Sequence, residues 1–246
     1  MIQPDEDDYW QGLEGAATAS PVSAAFPELQ VRIIPEARPL IHALGNFDPR
    51  AIPEPLEAVL FAPDGPAADL PGEGGDRPAD ATRVFAVLDA AKLPYLLTAF
   101  IESSGMCQQS MFQGAAQREL GEYAPYLIEL DRTNAFTRKL FTSVEQRGFW
   151  QAELGILIRA RADFTAMRRH LRRFVRVRDD AGSWFYWRFW EGRRLAAALG
   201  ALDGRDRVDF MMKGAIETIV VLTSDPAALQ IGLAAPEPSP LNGARR

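Results

Sequence analysis

Short apolar runs alternate with helical patterns along the chain, as expected of a fold that mixes strands and helices. In the first half, the pattern predicts strands at 83–88, 106–112 and 126–130, and helices at 53–61, 90–102 and 115–123. Prolines recur between residues 30 and 55, and they exclude a long helix or a central strand from that region. We expect the region to wrap over a core formed elsewhere.

The second half of the chain continues this mixture of elements. Its pattern predicts helices at 135–144, 164–174 and 191–199, and strands at 153–158 and 215–222. A β-hairpin is expected where 175–178 pairs with 183–190, because Asp179, Asp180, Ala181 and Gly182 between them favour a turn. The predicted fold class is therefore α/β, in the sense of a mixed α+β fold.

We predict two lobes between two flexible ends. Residues 1–32 form an acidic flexible arm, 33–134 an N-terminal α/β lobe, and 231–246 a flexible tail whose composition cannot build a core. The C-terminal lobe, 135–230, contains an arginine-rich helix and the aromatic β-hairpin. A loop rich in Pro, Gly and Asp at 62–80 is long enough to be functional.

The arginine-rich helix at 164–174 is amphipathic. A rotation of about 100° per residue places an apolar stripe on one side of it, made of Phe164, Met167, Leu171 and Phe174. Four arginines lie on the other side: Arg168, Arg169, Arg172 and Arg173. His170 falls at the edge of the stripe, where an imidazole in or beside the core is the favoured interpretation.

The aromatic strand that follows has two different faces. If the strand continues to residue 190, one face carries Trp184, Tyr186, Arg188 and Trp190, and the other carries Phe185, Trp187 and Phe189. One face can serve the core while the other meets a partner, or both can pack inside the protein. The candidate partner-binding residues are therefore Arg168, Arg169, Arg172, Arg173, Trp184, Tyr186, Arg188 and Trp190.

Charge weighs against one class of partner. Arginines beside aromatic rings are typical of nucleic-acid binding, which is the alternative function for the tract 159–190. The 246-residue chain nevertheless has a net charge of −6 and a pI near 5.1, so its long-range field repels a polyanion. A protein partner is the favoured interpretation.

Catalytic and metal-binding patterns are weak in this sequence. Cys107 is the single cysteine, and we expect it to be a small buried side chain rather than a nucleophile with His42 or His170 as base. Asp89 ends a predicted strand, where it suits a helix cap better than a catalytic acid. Glycines at 72, 74 and 75 lack the context of a phosphate loop. We expect no enzyme activity, no cofactor and no metal.

Localisation is predicted from the same sequence. The N-terminus lacks the basic and apolar regions of a signal peptide, and no stretch approaches eighteen uninterrupted apolar residues. A lone cysteine forms no internal disulfide, which fits a reducing compartment. We therefore expect a cytoplasmic protein that does not insert into membranes.

Several segments in order resemble one known family. They are VFAVLDAA at 84–91, GEYAPYLIELD at 121–131, ELGILIRARADFTAMRRHLRRFVRVRDDAG at 153–182 and YWRFW at 186–190. Together they resemble the type VI secretion effector-chaperone, or adaptor, family. This sequence departs from the family's pattern at Glu191-Gly192, where the family often has Asp-Pro, and at FMMKGAIETIV, which replaces a Phe-Gly-Pro turn.

The resemblance implies a function in which no chemistry is performed. Members of the family are cytoplasmic proteins of Gram-negative bacteria that bind a toxin, here expected through its N-terminal segment, and hand it to a VgrG-type spike. The family is two-lobed and has no catalytic residues to carry over. The cognate toxin and the spike protein are therefore the expected partners, and nucleic acid is not.

Overall fold

The structure is a computed structural model that describes residues 26–41, 51–62, 81–178, 181–223 and 228–234. Most of the predicted acidic arm, the loop at 63–80, the turn residues Asp179 and Asp180, and the tail from residue 235 lie outside the described residues. His42 lies outside them as well.

Strands and helices alternate along the described part of the chain. Its strands are β1 (Leu29–Ile34), β2 (Arg83–Asp89), β3 (Gln108–Ser110), β4 (Pro125–Glu129), β5 (Gly155–Ala160), β6 (Arg176–Arg178), β7 (Trp184–Tyr186), β8 (Ile216–Val221) and β9 (Ala228–Leu233). Its α-helices are α1 (Glu54–Leu60), α2 (Leu96–Ser103), α3 (Gly114–Leu120), α4 (Ala135–Leu140), α5 (Phe164–Val175), α6 (Gly192–Ala201) and α7 (Gly204–Met211).

One antiparallel sheet organises the protein. Its seven strands follow the order β1-β9-β8-β5-β2-β4-β3, and each neighbouring pair is antiparallel. The remaining strands, β6 and β7, form a separate hairpin. The mixed α+β fold predicted from the sequence is confirmed. Strands β2, β4 and β3 of the predicted N-terminal lobe continue the same sheet as β5 and β8 of the predicted C-terminal lobe, so the boundary at residue 134 does not separate two sheets.

Helices cover both faces of the sheet. Every residue of β2 is buried, and its side chains alternate between two cores. Val84, Ala86 and Leu88 belong to the core on one face, while Phe85 and Val87 belong to the core on the other. A strand buried on both faces needs a continuous apolar run, and this explains why VFAVL was a reliable strand signal.

One predicted helix is interrupted. The pattern at 90–102 contains a short 3₁₀ helix, Ala90–Lys92, and then α2, which starts only at Leu96. Pro94 lies between them, and Tyr95 has a left-handed φ of 61°. Proline disfavours helical backbone in the residue before it, and the left-handed residue redirects the chain. The prediction of one continuous helix is wrong here.

The described strands extend past the predicted flexible ends. Strand β1 starts at Leu29, inside the predicted arm, and β9 reaches Leu233, inside the predicted tail. The two strands pair along their whole length, from Leu29 opposite Leu233 to Ile34 opposite Ala228. Strand β1 lies at the edge of the sheet, which agrees with the exclusion of a central strand from the proline-rich region.

Candidate functional site

The arginine-rich helix α5 packs on the sheet through the predicted stripe. Asp163 caps its N-terminus by accepting a 2.7 Å hydrogen bond from the amide of Ala166. Met167 and Leu171 are fully buried, and Phe164 and Phe174 pack against the same core. The amphipathic helix is therefore confirmed, with the arginines turned away from the stripe.

His170 is a core residue of α5. Its Nε2 lies 2.8 Å from the carbonyl oxygen of Phe210, which only accepts, so the imidazole donates from this nitrogen. Burial lowers the pKa of His170 below its usual range. The ring also packs closely against Gly214, where an added Cβ would lie 2.4 Å from the imidazole. These contacts describe a neutral structural histidine.

The four candidate arginines of α5 fall into two pairs. Arg168 donates from Nε and Nη2 to the carbonyl oxygen of Ser110, at 3.1 and 2.8 Å, and Arg172 donates to that of Met111 at 3.3 Å. Partial burial, and then the charge of Arg172, lower the pKa of Arg168. Arg169 and Arg173 are exposed. The first pair therefore holds the end of β3, and the second faces solvent.

The hairpin exposes three consecutive aromatic residues. Trp184, Phe185 and Tyr186 are each about half exposed, at 53%, 48% and 45%. The guanidinium carbon of Arg176 lies 5.1 Å from the ring centre of Trp184, and that of Arg178 lies 6.0 Å away. Trp184 and Tyr186 share one face of the hairpin with Arg176 and Arg178, and these four side chains are called the hairpin surface below. Phe185 lies on the other face of the hairpin, beside Val177. Cation–π contact between arginine and indole organises the hairpin surface.

The predicted aromatic strand ends at Tyr186. The amide of Trp187 donates to the carbonyl of Val175 at 3.0 Å, and the chain then turns into the core. Phe189 and Trp190 are 1% and 3% exposed, and Phe189 lies 5.6 Å from Phe210 between ring centres. The predicted alternation is therefore wrong beyond Tyr186. Trp190 packs in the core, so its predicted contact with a partner gains no support from the structure.

Arg188 is used inside the protein. Its Nη2 lies 2.6 Å from Oδ2 of Asp89, and its Nε lies 2.9 Å from Oε1 of Glu191. Asp89 also accepts from the amide of Ala91, which caps the 3₁₀ helix after β2. The capping interpretation of Asp89 is confirmed. Arg188 lies beside the hairpin surface, but its guanidinium forms ion pairs with these two carboxylates.

Cys107 departs from its predicted burial. Its side chain is exposed just before β3, so the expectation of a buried small residue is wrong. Partial burial, and then the nearby charge of Glu129, raise the pKa of the thiol. A raised pKa disfavours the thiolate, which is the nucleophilic form.

The described ranges contain neither a metal-binding cluster nor a membrane-spanning helix. Within those residues, no group of three His, Cys, Asp or Glu side chains could hold a metal ion. The helices among them are all too short or too polar to cross a membrane.

A pocket beside the hairpin surface was not predicted from the sequence. It is open and has a volume of about 400 Å³. Residues of β3, the loop after it, α3, β4 and α5 line the pocket: Gln108, Gln109, Ser110, Phe112, Gln113, Gly114, Gln117, Tyr126 and Arg168. The rings of Phe112 and Tyr186 lie 5.3 Å apart and join the pocket to the hairpin. The sequence shows four glutamines within ten residues at this place, but only the fold shows that all four line the same pocket.

One comparison with known proteins identifies a family. A family model matches residues 84–208, about half of the chain, and it describes a domain of unknown function, DUF4123. No curated protein and no solved structure gives a significant match. The matched range contains α5, the hairpin surface and the glutamine-lined pocket, and it ends within α7. The chain therefore belongs to the DUF4123 family.

Proposed function

We propose that this protein is a non-enzymatic adaptor, or chaperone, that binds a type VI secretion toxin and helps to load it onto a VgrG-type spike in the cytoplasm. One observation carries the proposal: the DUF4123 domain spans the same segments in which the sequence resembles the effector-chaperone family. The toxin would be bound through its N-terminal segment.

The hairpin surface supplies a binding site suited to a protein. Tryptophan, tyrosine and arginine are the residues most enriched at the energetic centres of protein interfaces. Here the rings of Trp184 and Tyr186 are half exposed, which leaves apolar area to bury. Arg176 and Arg178 back the same surface, so a toxin segment with apolar and acidic side chains would fit it best.

The predicted site residues then take different roles. Trp184, Tyr186, Arg169 and Arg173 are exposed and would contact the toxin. Arg168 and Arg172 would act as positioning residues, because they hold the carbonyl groups at the end of β3. Arg188 and Trp190 would support the hairpin from within.

Co-purification tests this proposal. The protein is expressed together with the toxin encoded beside its gene and with the VgrG-type protein, and complexes are recovered through a tag on the toxin. The double variant Trp184→Ala, Tyr186→Ala removes two exposed rings and should recover at least about tenfold less adaptor. Arg169→Glu should also weaken the complex, because it reverses an exposed charge on α5, the helix that leads into the hairpin.

Matched controls separate this effect from general damage. Tyr123 is 44% exposed, close to the 45% of Tyr186, and lies outside the hairpin surface. Tyr123→Ala and Arg205→Glu, which reverses an exposed charge on α7, should therefore leave recovery unchanged. If neither the toxin nor the VgrG-type protein co-purifies with the wild-type adaptor, the proposed function is wrong.

A nucleic-acid-binding function is the second candidate, and one observation favours it. An indole backed by Arg176 and Arg178 is a platform on which a single-stranded base can stack. Binding of generic single-stranded DNA should then weaken steeply with salt, because phosphate contacts release counterions. A flat titration at low salt excludes this function.

A further inference from the structure

Strand β1 forms an open edge of the seven-stranded sheet. It pairs with β9 on one side, and no other strand of the described residues pairs on its outer side. The opposite edge strand, β3, has three residues, whereas β1 has six. Proteins usually shorten or charge such edges, because unpaired peptide groups recruit another strand. Strand β1 is therefore the edge better suited to pairing.

The outward peptide groups of β1 can be assigned from its pairing with β9. The carbonyl of Glu28 accepts a 2.8 Å hydrogen bond from the amide of Ala234. The backbone N–H and C=O groups of successive residues point to opposite sides of an antiparallel strand. Every second residue from Glu28 therefore turns these groups towards β9. Leu29, Val31 and Ile33 consequently turn their N–H and C=O groups to the open edge.

The same residues place apolar side chains on one face of the strand. Leu29 packs against the core, but Val31 and Ile33 are 45% and 68% exposed. On the other face, Arg32 donates a 2.6 Å hydrogen bond to the side chain of Gln30. The open edge thus combines unpaired backbone with an apolar face and a polar face.

We propose that two copies of this protein pair through β1, antiparallel, about a twofold axis at Val31. This register places Val31 opposite Val31 of the second copy, Leu29 opposite Ile33, and Gln30 opposite Arg32. Apolar residues meet apolar residues, and the amide of Gln30 meets the guanidinium of Arg32. The outward peptide groups of the two strands face each other and form about six hydrogen bonds.

The sequence around β1 disfavours the neighbouring registers. An axis at Arg32 would place the two Arg32 side chains opposite each other and would pair Leu29 with Pro35, which has no N–H to donate. An axis at Gln30 would pair Ile33 with Pro27, with the same loss. Pro27 and Pro35 lie at equal distances from Val31, so the Val31 register uses the whole strand between them.

The contact is small, so the dimer should be weak and should dissociate on dilution. Sedimentation velocity of the full chain from about 2 to 200 µM should show a shift from monomer to dimer. Val31→Lys should abolish the dimer, because two lysines would face each other at the axis. Val31→Glu should abolish the dimer too, because two glutamates would face each other at the axis.

A mixture of these two variants gives the decisive measurement. Combined in equal amounts, the Val31→Lys and Val31→Glu proteins should form a heterodimer, since a lysine then faces a glutamate across the axis. Val144→Lys is the matched control, because Val144 is 52% exposed on another element. It should dimerise like the wild-type protein.

A disulfide at the axis tests the register directly. Opposed residues of a hydrogen-bonded pair have Cα atoms about 5.5 Å apart, which suits a disulfide. In a Cys107→Ser background, Val31→Cys should oxidise to a covalent dimer much faster than Gln30→Cys, which faces Arg32 instead of itself. A wild-type protein that stays monomeric at about 200 µM, or a mixture that stays monomeric, would overturn the pairing and leave the edge to a strand of another protein.

Discussion

The carboxylate of Asp89 accepts a 2.6 Å hydrogen bond from the guanidinium of Arg188, which lies 99 residues further along the chain. Asp89 ends a central strand and is 1% exposed, whereas Arg188 follows the hairpin and has half of its side chain in solvent. The same carboxylate caps the 3₁₀ helix through Ala91. Asp89 therefore ties the hairpin segment to the end of the sheet.

Loss of Arg188 should destabilise the fold because it leaves the buried carboxylate with one donor fewer. We expect Arg188→Ala to lower the free energy of unfolding by about 1–2 kcal/mol, a range kept small because the arginine is half exposed. Urea unfolding followed by circular dichroism measures it. Arg194→Ala is the control, since Arg194 pairs with Glu191 while 84% exposed and should not shift the midpoint. Equal midpoints for the two variants would contradict this account.

His170 should make stability depend on pH. Burial lowers its pKa below the usual 6.5, with smaller opposing effects from the Phe210 carbonyl and Asp209. His170 therefore binds a proton more readily in the unfolded chain than in the folded protein. Protonation of this group consequently favours unfolding as the pH falls below about 6.5. At pH 7.5 and above the effect vanishes.

The variant His170→Gln isolates that contribution. Its amide can still donate to the Phe210 carbonyl, but it does not titrate. The difference in unfolding free energy between wild type and variant should shrink from pH 7.5 to pH 5.5. A difference that stays constant over this range would show that the imidazole does not carry the pH dependence.

Two glycines should respond oppositely to alanine. At Gly214 an added Cβ would lie 2.4 Å from the His170 ring, so Gly214→Ala should cost about 1–3 kcal/mol. At Gly200, in α6, the added Cβ meets nothing within 4 Å. Gly200→Ala should therefore stabilise the protein by about 0.5–1 kcal/mol through helix propensity. Thermal unfolding compares them, and a shift of the same sign would refute the packing argument.

Alanine substitutions at the two ends of the aromatic tract should affect stability differently. Trp190 is buried beside Phe189, so Trp190→Ala should cost about 3–5 kcal/mol. Trp184 is half exposed, and Trp184→Ala should change stability little. Urea midpoints of the two variants would be equal only if both rings were in the same environment.

Local patterns predicted the centre of the protein well. Strands β2 and β5 are continuous apolar runs, and α5 combines a capping Asp163 with a regular apolar stripe. Helix α7 was missed because GRDRVDFM is mostly polar and buries only Phe210 and Met211 at its end. The helix predicted at 191–199 ends two residues later than expected, because α6 continues through Gly200 to Ala201.

The candidate site could not be predicted in full, because it is formed by contacts between residues that are far apart in the sequence. The carbonyl of Ser110 receives Arg168 from a helix 58 residues away. The alternation from Trp184 assumed that the strand continued, but Trp187 packs against Phe174 and Phe210 and draws the chain inward. The sequence therefore predicted the arginine-aromatic tract but could not divide it into buried and exposed parts.

Because Leu29 pairs with Leu233, β1 can complete its pairing only after the end of β9 has been synthesised. The ribosome adds about 5–20 residues per second, so β1 emerges about 10–40 s before the strand that completes it. During that time the nascent chain offers an unpaired apolar strand on both of its edges. We therefore expect this segment to be exposed to aggregation until the last strand of the sheet has been translated.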